Sequence, residues 1–417
     1  MLGNLSNTIM YVLLFISLYF EVFIMITYIE HRPTIKKENK RALEKPKKYP
    51  TVAIIVPCWN EETTLSKTIH SLLNLDYPKD KLEIIVVDDG STDNTWEVLQ
   101  KFKQTNQVKI FQKENGGKYT ALNFALQQST SDLVGCLDAD SYVDKDALKH
   151  IIQYFDEKTV MAVTPSVKIY KPETILQMIQ SVEYGWGIFI RKILSYLGAL
   201  YVTPGPFSLF RRSVFKEIGE YRHAHNTEDL ELALRMQAHS MKIVNAHNAV
   251  VYTVAPRTLK KLYKQRLRWT FGFIKNVIDY KFIFGRKQYG NLGIFILPMA
   301  SVSIISGVYI IGTALYNLLQ SAFHTIQKIS TVGINTNFEG RFSFDIFSIN
   351  TEFIALASGV AFIGTFIIVL VSRKMAEGKL SFGMDLVYFL TLYTFIAPLW
   401  LIKALYNALF SVKTSWR

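Results

Sequence analysis

The chain has 417 residues, is 49% hydrophobic and 13% aromatic, and carries a formal net charge of +13. That length admits one large domain or two, and an apolar share this high, concentrated in a few segments, argues against an ordinary soluble protein. The basic charge sits beside those segments rather than along the whole chain, which argues against nucleic acid as the partner.

Residues 8–29 are almost entirely apolar and predict a membrane-spanning helix of the ~20 residues a bilayer core requires. The run is long, lacks a basic leader and is followed by no small-residue cleavage site, so it reads as a retained helix rather than a signal peptide. Glu21 inside it is predicted to face other helices and pair with a basic residue, because intramembrane acids need partners. Residues 31–50 hold eight Lys/Arg against two Glu, a net of +6, and read as a basic linker on the cytoplasmic side of the membrane.

From 51 to 255 the pattern alternates between strand and helix. Val52–Pro57, Leu82–Val87, Val108–Phe111 and Leu133–Leu137 are strand-like apolar runs; Glu61–Leu75, Asp93–Phe102 and Lys118–Gln128 have helical spacing. Such alternation implies a parallel, doubly wound α/β sheet, whose ligands bind at the carboxyl ends of the strands. Residues 174–200 predict a helix near the membrane, Phe207–Phe210 a strand, Glu228–Gln237 a helix and Ala249–Val254 a strand. Residues 256–290 form a basic, aromatic stretch suited to the membrane interface. Residues 255–290 hold ten Lys/Arg against one Asp, a net of +9. The region 291–417 contains about three further apolar segments, near 292–320, 353–372 and 385–402. Four crossings would place the N-terminus outside, residues 31–290 in the cytoplasm and the C-terminus outside, although Lys413 and Arg417 agree poorly with that last placement. Cys58 and Cys136 lie in strand-like runs and read as buried small hydrophobes; no Cys/His cluster has zinc spacing.

The polar residues at the strand ends carry the chemistry. The loop Pro57, Cys58, Trp59, Asn60, Glu61, Glu62 follows a strand and opens a helix; it can hold a polar ligand or simply cap that helix. Asp89 can accept from a pyrimidine base, and Asp93 reads as a turn and cap residue. Lys118, behind Gly116 and Gly117, offers a point charge to phosphate. Asp138 and Asp140, one residue apart, can straddle a ribose and a divalent cation, Mg²⁺ or Mn²⁺, which takes few carboxylates plus diphosphate and water oxygens. Glu228 and Asp229 start a helix with Thr227 as candidate cap. A carboxylate there can act as a general base for an acceptor hydroxyl or merely answer the helix dipole. Gln265, Arg268 and Trp269 fall on one helical face at i, i+3 and i+4, with Arg266 elsewhere. Arginine binds diphosphate bidentately and a Trp face stacks on sugar rings; an interfacial anchor is the plainer alternative.

Taken in order, Asp88-Asp89-Gly90, Gly117-Lys118, Asp138-Ala139-Asp140, Thr227-Glu228-Asp229 and Gln265-Arg266-Leu267-Arg268-Trp269 resemble the motifs of membrane-embedded processive family 2 glycosyltransferases. These are the cellulose, chitin, hyaluronan and poly-N-acetylglucosamine synthases. The resemblance spans roughly residues 50–275 and the flanking apolar helices. It implies a GT-A fold in a cytoplasmic domain, about four transmembrane helices, interfacial helices, a UDP-sugar donor, a divalent metal and a β-linked product. By the same resemblance Pro57, Asn60, Glu61, Asp89 and Lys118 bind the donor, with Asp89 on uridine. Asp138 and Asp140 hold UDP and metal, and Asp229 is the base with Glu228 beside it. Gln265, Arg266 and Arg268 face the diphosphate, and Trp269 the acceptor sugar. Thr227-Glu228-Asp229, Asn123 and the stretch Thr203–Arg212 are closest in form to the poly-N-acetylglucosamine synthases.

The expected function is processive, inverting polymerisation of a β-linked polysaccharide from UDP-N-acetylglucosamine or UDP-glucose at the cell membrane, with or without coupled export. The expected partners are the donor, the growing glycan and the bilayer, with room for a small membrane helper subunit. A transferase adding a single sugar to a lipid carrier shares the same motifs. So does a silent nucleotide-sugar-binding membrane scaffold, though complete carboxylate sets argue against it.

Overall fold

The computed structural model describes residues 2–332 and 353–410. Helix α1 spans Leu2–Arg41 with Pro33 inside it. The basic linker expected at 31–50 is therefore helical as far as Arg41, because its Lys, Arg and Glu residues are good helix formers and its side chains are tied to the α/β sheet domain. The buried Lys192 ammonium lies 2.5 Å from Glu38, His247 Nε2 lies 2.7 Å from Asn39 Oδ1, and Arg41 pairs with Asp156 at 2.7 Å.

Strand β1 (Val52–Cys58), helix α2 (Leu65–Leu73), β2 (Leu82–Asp88), α3 (Thr95–Gln100), β3 (Val108–Gln112), α4 (Lys118–Gln127) and β4 (Leu133–Cys136) follow in alternation. β1 and β2 are continuous apolar runs because both their faces are covered. Val52, Ile54, Val56, Ile84 and Val86 form one core with Leu65, Ile69 and Leu72 of α2. Then come β5 (Ser141–Val143), α5 (Ala147–Ile152), β6 (Val160–Ile169), α6 (Ile175–Tyr196), β7 (Leu209–Arg211), α7 (Arg212–Ile218), α8 (Glu228–Ala238) and β8 (Lys242–Thr253).

The eight strands form one sheet in the order β3-β2-β1-β4-β7-β6-β8-β5. The first four are parallel. β7 runs antiparallel to both β4 and β6, and β5 antiparallel to β8, so the sheet is mixed rather than all-parallel. Local pattern does not carry strand direction, which left β7 without one; β5 has only three residues, too few for a period to register, and β6 carries two register shifts. The chain steps from β1 to β2 and β3 on one side and to β4 on the other, so a crevice opens at the carboxyl ends of β1 and β4.

Helix α9 (Leu259–Asp279) follows the sheet, and then α10 (Leu297–Val332), α11 (Phe353–Glu377), α12 (Met384–Ile396) and α13 (Pro398–Leu409). Among the described residues, four stretches are long and apolar enough to cross a membrane: Thr8–Arg41, Leu292–Thr331, Ala355–Glu377 and Met384–Leu409. These fit a membrane protein. The expected placement of Lys413 and Arg417 lies outside the described residues.

Contacts divide the chain into two units. One joins the stretch up to Met25 with Met299–Ile368; the other joins Ile26–Pro298 with the stretch from Val369. Within the first, Glu21 Oε1 accepts the Thr365 hydroxyl hydrogen at 2.6 Å. The basic partner expected for Glu21 is thus replaced by a neutral hydroxyl, which satisfies an oxygen without burying a second charge. Within the second, α6, α12 and the end of α11 pack through Ile179, Val182, Val369, Leu386 and Phe389, and Phe271 of α9 packs on Ala404 and Ala408 of α13. Both cysteines are buried and free, as expected.

Candidate active site

The loops after β1 and β2 are stitched together at the crevice. Asn60, in left-handed backbone at φ 56°, donates its N–H to Ser91 Oγ at 2.9 Å and accepts the Thr92 N–H at 2.8 Å. The Glu61 N–H reaches Thr95 Oγ1 at 2.8 Å, and the Thr64 hydroxyl reaches Glu61 Oε2 at 2.7 Å. Asp93 accepts from Thr95 N at 3.0 Å, the turn role expected of it. Pro57, read as the end of a strand and the start of the loop, is a buried residue of β1 in register with Val87.

Asp89 lies beside this loop. Its carboxylate accepts from Lys113 Nζ at 2.7 Å, Gly116 N at 3.1 Å and Gly117 N at 2.8 Å, and the residue is only 4% exposed. In this structure it anchors the glycine turn ahead of Lys118. Gly117 has φ 90°, a conformation that side chains other than hydrogen resist. Strand-end position was visible in sequence; the loop that folds over Asp89 was not.

Lys118, at the start of α4, bridges two carboxylates: Nζ lies 2.7 Å from Asp138 Oδ1 and 3.1 Å from Glu228 Oε1. Burial pulls the ammonium pKa down, but Asp138 and Glu228 outweigh it and hold the pKa well above its usual value. The lysine expected on phosphate therefore ties the Asp138 loop to the start of α8. Gly205 leaves room for this cluster; a Cβ there would lie 3.0 Å from Lys118 Nζ and 3.2 Å from an Asp138 oxygen.

Asp229 lines a small cavity with Lys118, Cys136, Thr203, Gly205, Ser208, Tyr221 and Glu228. Its Oδ1 accepts the Leu230 N–H at 2.9 Å, leaving Oδ2 to take a proton. The Thr203 hydroxyl holds the Asp229 carbonyl at 2.8 Å. Burial, then the neighbouring Glu228 charge, pushes the Asp229 carboxyl up to about 6. Burial, then Asp138 and Glu61, pushes Asp140 up to about 7. Thr227 precedes α8 without capping it through its side chain; its hydroxyl donates to Ala224 O at 3.1 Å instead.

Among the described residues no cluster of three or more His, Cys, Asp or Glu stands in metal-ligating geometry. The two carboxylates Asp138 and Asp140 nevertheless suit Mg²⁺ or Mn²⁺, which complete their shell with diphosphate and water. Burial first, and the neighbouring Asp138 and Glu61 charges second, raise the Asp140 pKa.

The pentapeptide sits on α9. Arg266 is 4% exposed; its Nη2 lies 2.6 Å from Glu183 Oε2, its Nη1 donates to Gln265 Oε1 at 3.0 Å, and its guanidinium stacks 4.3 Å from the Trp269 ring centroid. The Tyr393 hydroxyl completes Glu183 at 2.8 Å. Arg266 therefore joins α9, α6 and α12 and is not an open diphosphate ligand, and it shares a face with Trp269 rather than pointing elsewhere. Arg268 is half-buried and Trp269 is 37% exposed. Glu183 was missed in sequence; an acid inside the apolar α6 was its signal.

Over 318 residues, 74% of either chain, the sequence is 30% identical to the poly-beta-1,6-N-acetyl-D-glucosamine synthase of Staphylococcus epidermidis. A family profile described as Glycosyl transferase family 2 matches residues 53–219. The chain belongs to this glycosyltransferase family. A second relative, the synthase of the same name from Staphylococcus aureus strain COL, is 32% identical over 263 residues, 62% of this chain and 63% of that protein. The glycosyltransferase also superposes on the mannosyltransferase PcManGT of Pyrobaculum calidifontis, solved with GDP-Man and Mn²⁺, with a TM-score of 0.61 at 18% identity, covering 96% of this chain and 99% of that one. That likeness establishes the GT-A-like fold. The profile covers Asp89, Lys118, Asp138 and Asp140 of this glycosyltransferase and ends before Glu228 and the pentapeptide.

Proposed function

We propose that this glycosyltransferase is a processive, inverting enzyme of the cell membrane that polymerises a β-linked polysaccharide from a UDP-sugar, UDP-N-acetylglucosamine before UDP-glucose. The observation that carries the reading is Asp229: a carboxylate with one oxygen anchored and the other available, in a cavity shared with Lys118 and Glu228. Relatives named as poly-beta-1,6-N-acetyl-D-glucosamine synthases support the choice of sugar. In this reading residues 51–255 form the catalytic domain and 256–290 an interfacial element. The net +6 of residues 31–50 and +9 of residues 255–290 support a cytoplasmic catalytic domain.

The acceptor hydroxyl gives its proton to Asp229 Oδ2 as its oxygen bonds to the anomeric carbon of the donor. The bond from that carbon to the diphosphate breaks, and UDP leaves carrying the electron pair. Attack from the face opposite the leaving group inverts the anomeric centre. Arg268 supplies positive charge toward the diphosphate, and Lys118 holds Asp138 and Glu228 in place beside it. Asp138 and Asp140 would hold Mg²⁺ or Mn²⁺, which when bound offsets charge developing on the leaving diphosphate. Asn60 and Glu61 shape the nucleotide side of the crevice, on the floor that Asp89 anchors, and Trp269 offers its exposed ring to the acceptor sugar.

Membranes carrying the protein, given labelled UDP-sugars one at a time, test this reading. Long polymer from UDP-N-acetylglucosamine, cut by a linkage-specific hydrolase, is expected. A product of one added sugar on lipid would replace processive synthesis with single addition, and no transfer from any UDP-sugar would overturn the donor assignment.

A further inference from the structure

Three successive residues ahead of Asp229, Ala224, His225 and Asn226, hold left-handed backbone with φ of 43°, 53° and 64°. Non-glycine residues avoid this region, and runs of them persist only where surrounding contacts enforce them. The enforcing contacts come from α9. Asn276, 1% exposed, donates from Nδ2 to Thr227 Oγ1 at 2.8 Å, to Ala224 O at 3.3 Å and to Gly272 O of its own helix at 2.8 Å. Asp279 lies 2.8 Å from His225 Nε2, and the Phe271 ring meets the His225 ring edge-on. Gly272 lies so close to Thr227 that an added methyl group would collide with its side chain.

Positions 269, 272, 276 and 279 share one stripe of α9, at i, i+3, i+7 and i+10. The stripe that presents Trp269 thus also grips the turn leading into Glu228 and Asp229. Nothing in the bond formed at Asp229 requires Asn276 itself, so any role it has runs through Thr227.

We propose that Asn276 is a positioning residue: through Thr227 it holds the strained Ala224–Asn226 turn, sets the placement of Asp229, and ties the base to the helix that carries the acceptor-facing Trp269. The proposal rests on the reading of Asp229 as the base. A displacement of α9 when the acceptor engages Trp269 would pass along two helical turns to Thr227 and from there to the base.

The test uses purified full-length protein in lipid nanodiscs, with UDP binding, donor KM, kcat and thermal unfolding measured for each variant. Asn276→Ala and Thr227→Val should each lower kcat by about 100-fold, the scale of a displaced catalytic group. UDP affinity and donor KM should stay within about twofold, the pattern of an interaction lost only in the transition state. Thr227→Ser, which keeps the hydroxyl, should retain most of the activity. The double variant Asn276→Ala/Thr227→Val should be no slower than the slower single, because both remove the same link. Wild-type kcat in Asn276→Ala, equal losses of kcat and UDP binding, or additive effects in the double variant would overturn the proposal. If Asn276→Ala does not fold, the Thr227→Val and Thr227→Ser pair decides, and equal activities would count against it. Asp229→Asn separates the two ideas: activity in that variant removes the base assignment itself, whereas an inactive Asp229→Asn beside a fully active Asn276→Ala removes only the positioning role.

Discussion

Arg266 and Glu183 form an ion pair of 2.6 Å in which the guanidinium is almost wholly buried. It joins α9 to α6, and Tyr393 extends the link to α12. The arginine that the family resemblance assigns to the diphosphate is here held as a structural clamp. Removing one partner of a buried pair leaves the other uncompensated, at a cost of about 3–5 kcal/mol. Arg266→Ala should therefore lower the thermal midpoint strongly. Differential scanning fluorimetry checks this; an unchanged midpoint would contradict the clamp.

Asp229→Asn keeps the size and hydrogen-bonding reach of the side chain but cannot take a proton. Loss of a positioned general base costs on the order of 10²–10⁴ in rate, so polymer synthesis should fall by at least that lower bound. UDP affinity, measured by calorimetry, should be nearly unchanged. Undiminished synthesis would assign the base elsewhere.

The raised pKa of Asp229, about 6 through burial and then Glu228, predicts a pH profile. The carboxyl must be ionised to accept a proton, so kcat should climb as pH rises through about 6 and level off above it. Glu228→Gln removes the like charge, so the ascending limb should move to lower pH. Stability takes the opposite sign. The folded chain holds the Asp229 proton more tightly than the unfolded one between the ordinary 3.8 and about 6. This group's contribution therefore declines as pH rises through that window and is constant beyond it. Rate and unfolding measurements across pH 4–8 check both signs; a flat kcat profile would speak against Asp229.

A divalent cation that binds only the folded state stabilises it by about 2.7 kcal/mol at a hundredfold excess over Kd. With UDP present, Mn²⁺ or Mg²⁺ should raise the thermal midpoint of the wild type. Asp140→Asn should lose most of that rise while keeping the metal-free midpoint or improving on it, since a crowded buried charge is removed. A metal-dependent rise of the same size in Asp140→Asn would place the cation elsewhere.

Residue pattern alone specifies the parts whose physics is local. Doubly buried strands must be apolar throughout, so β1, β2 and β4 were legible, and the first polar residues after them fell on the crevice edge where Asp138 and Asp140 stand. Membrane-length apolar runs were legible for the same reason. Tertiary structure decided what local pattern cannot carry: which charges meet. Lys118 turned toward Asp138 and Glu228, Asp89 sank beneath the Gly116–Gly117 turn, and Arg266 found Glu183, 83 residues away in the chain. Each pairing depends on loops and helices far apart in sequence converging within about 3 Å, the range in which a hydrogen-bonded charge pair forms. Period and composition place a side chain on an element; only the packing of elements against one another settles whether it faces ligand or another residue.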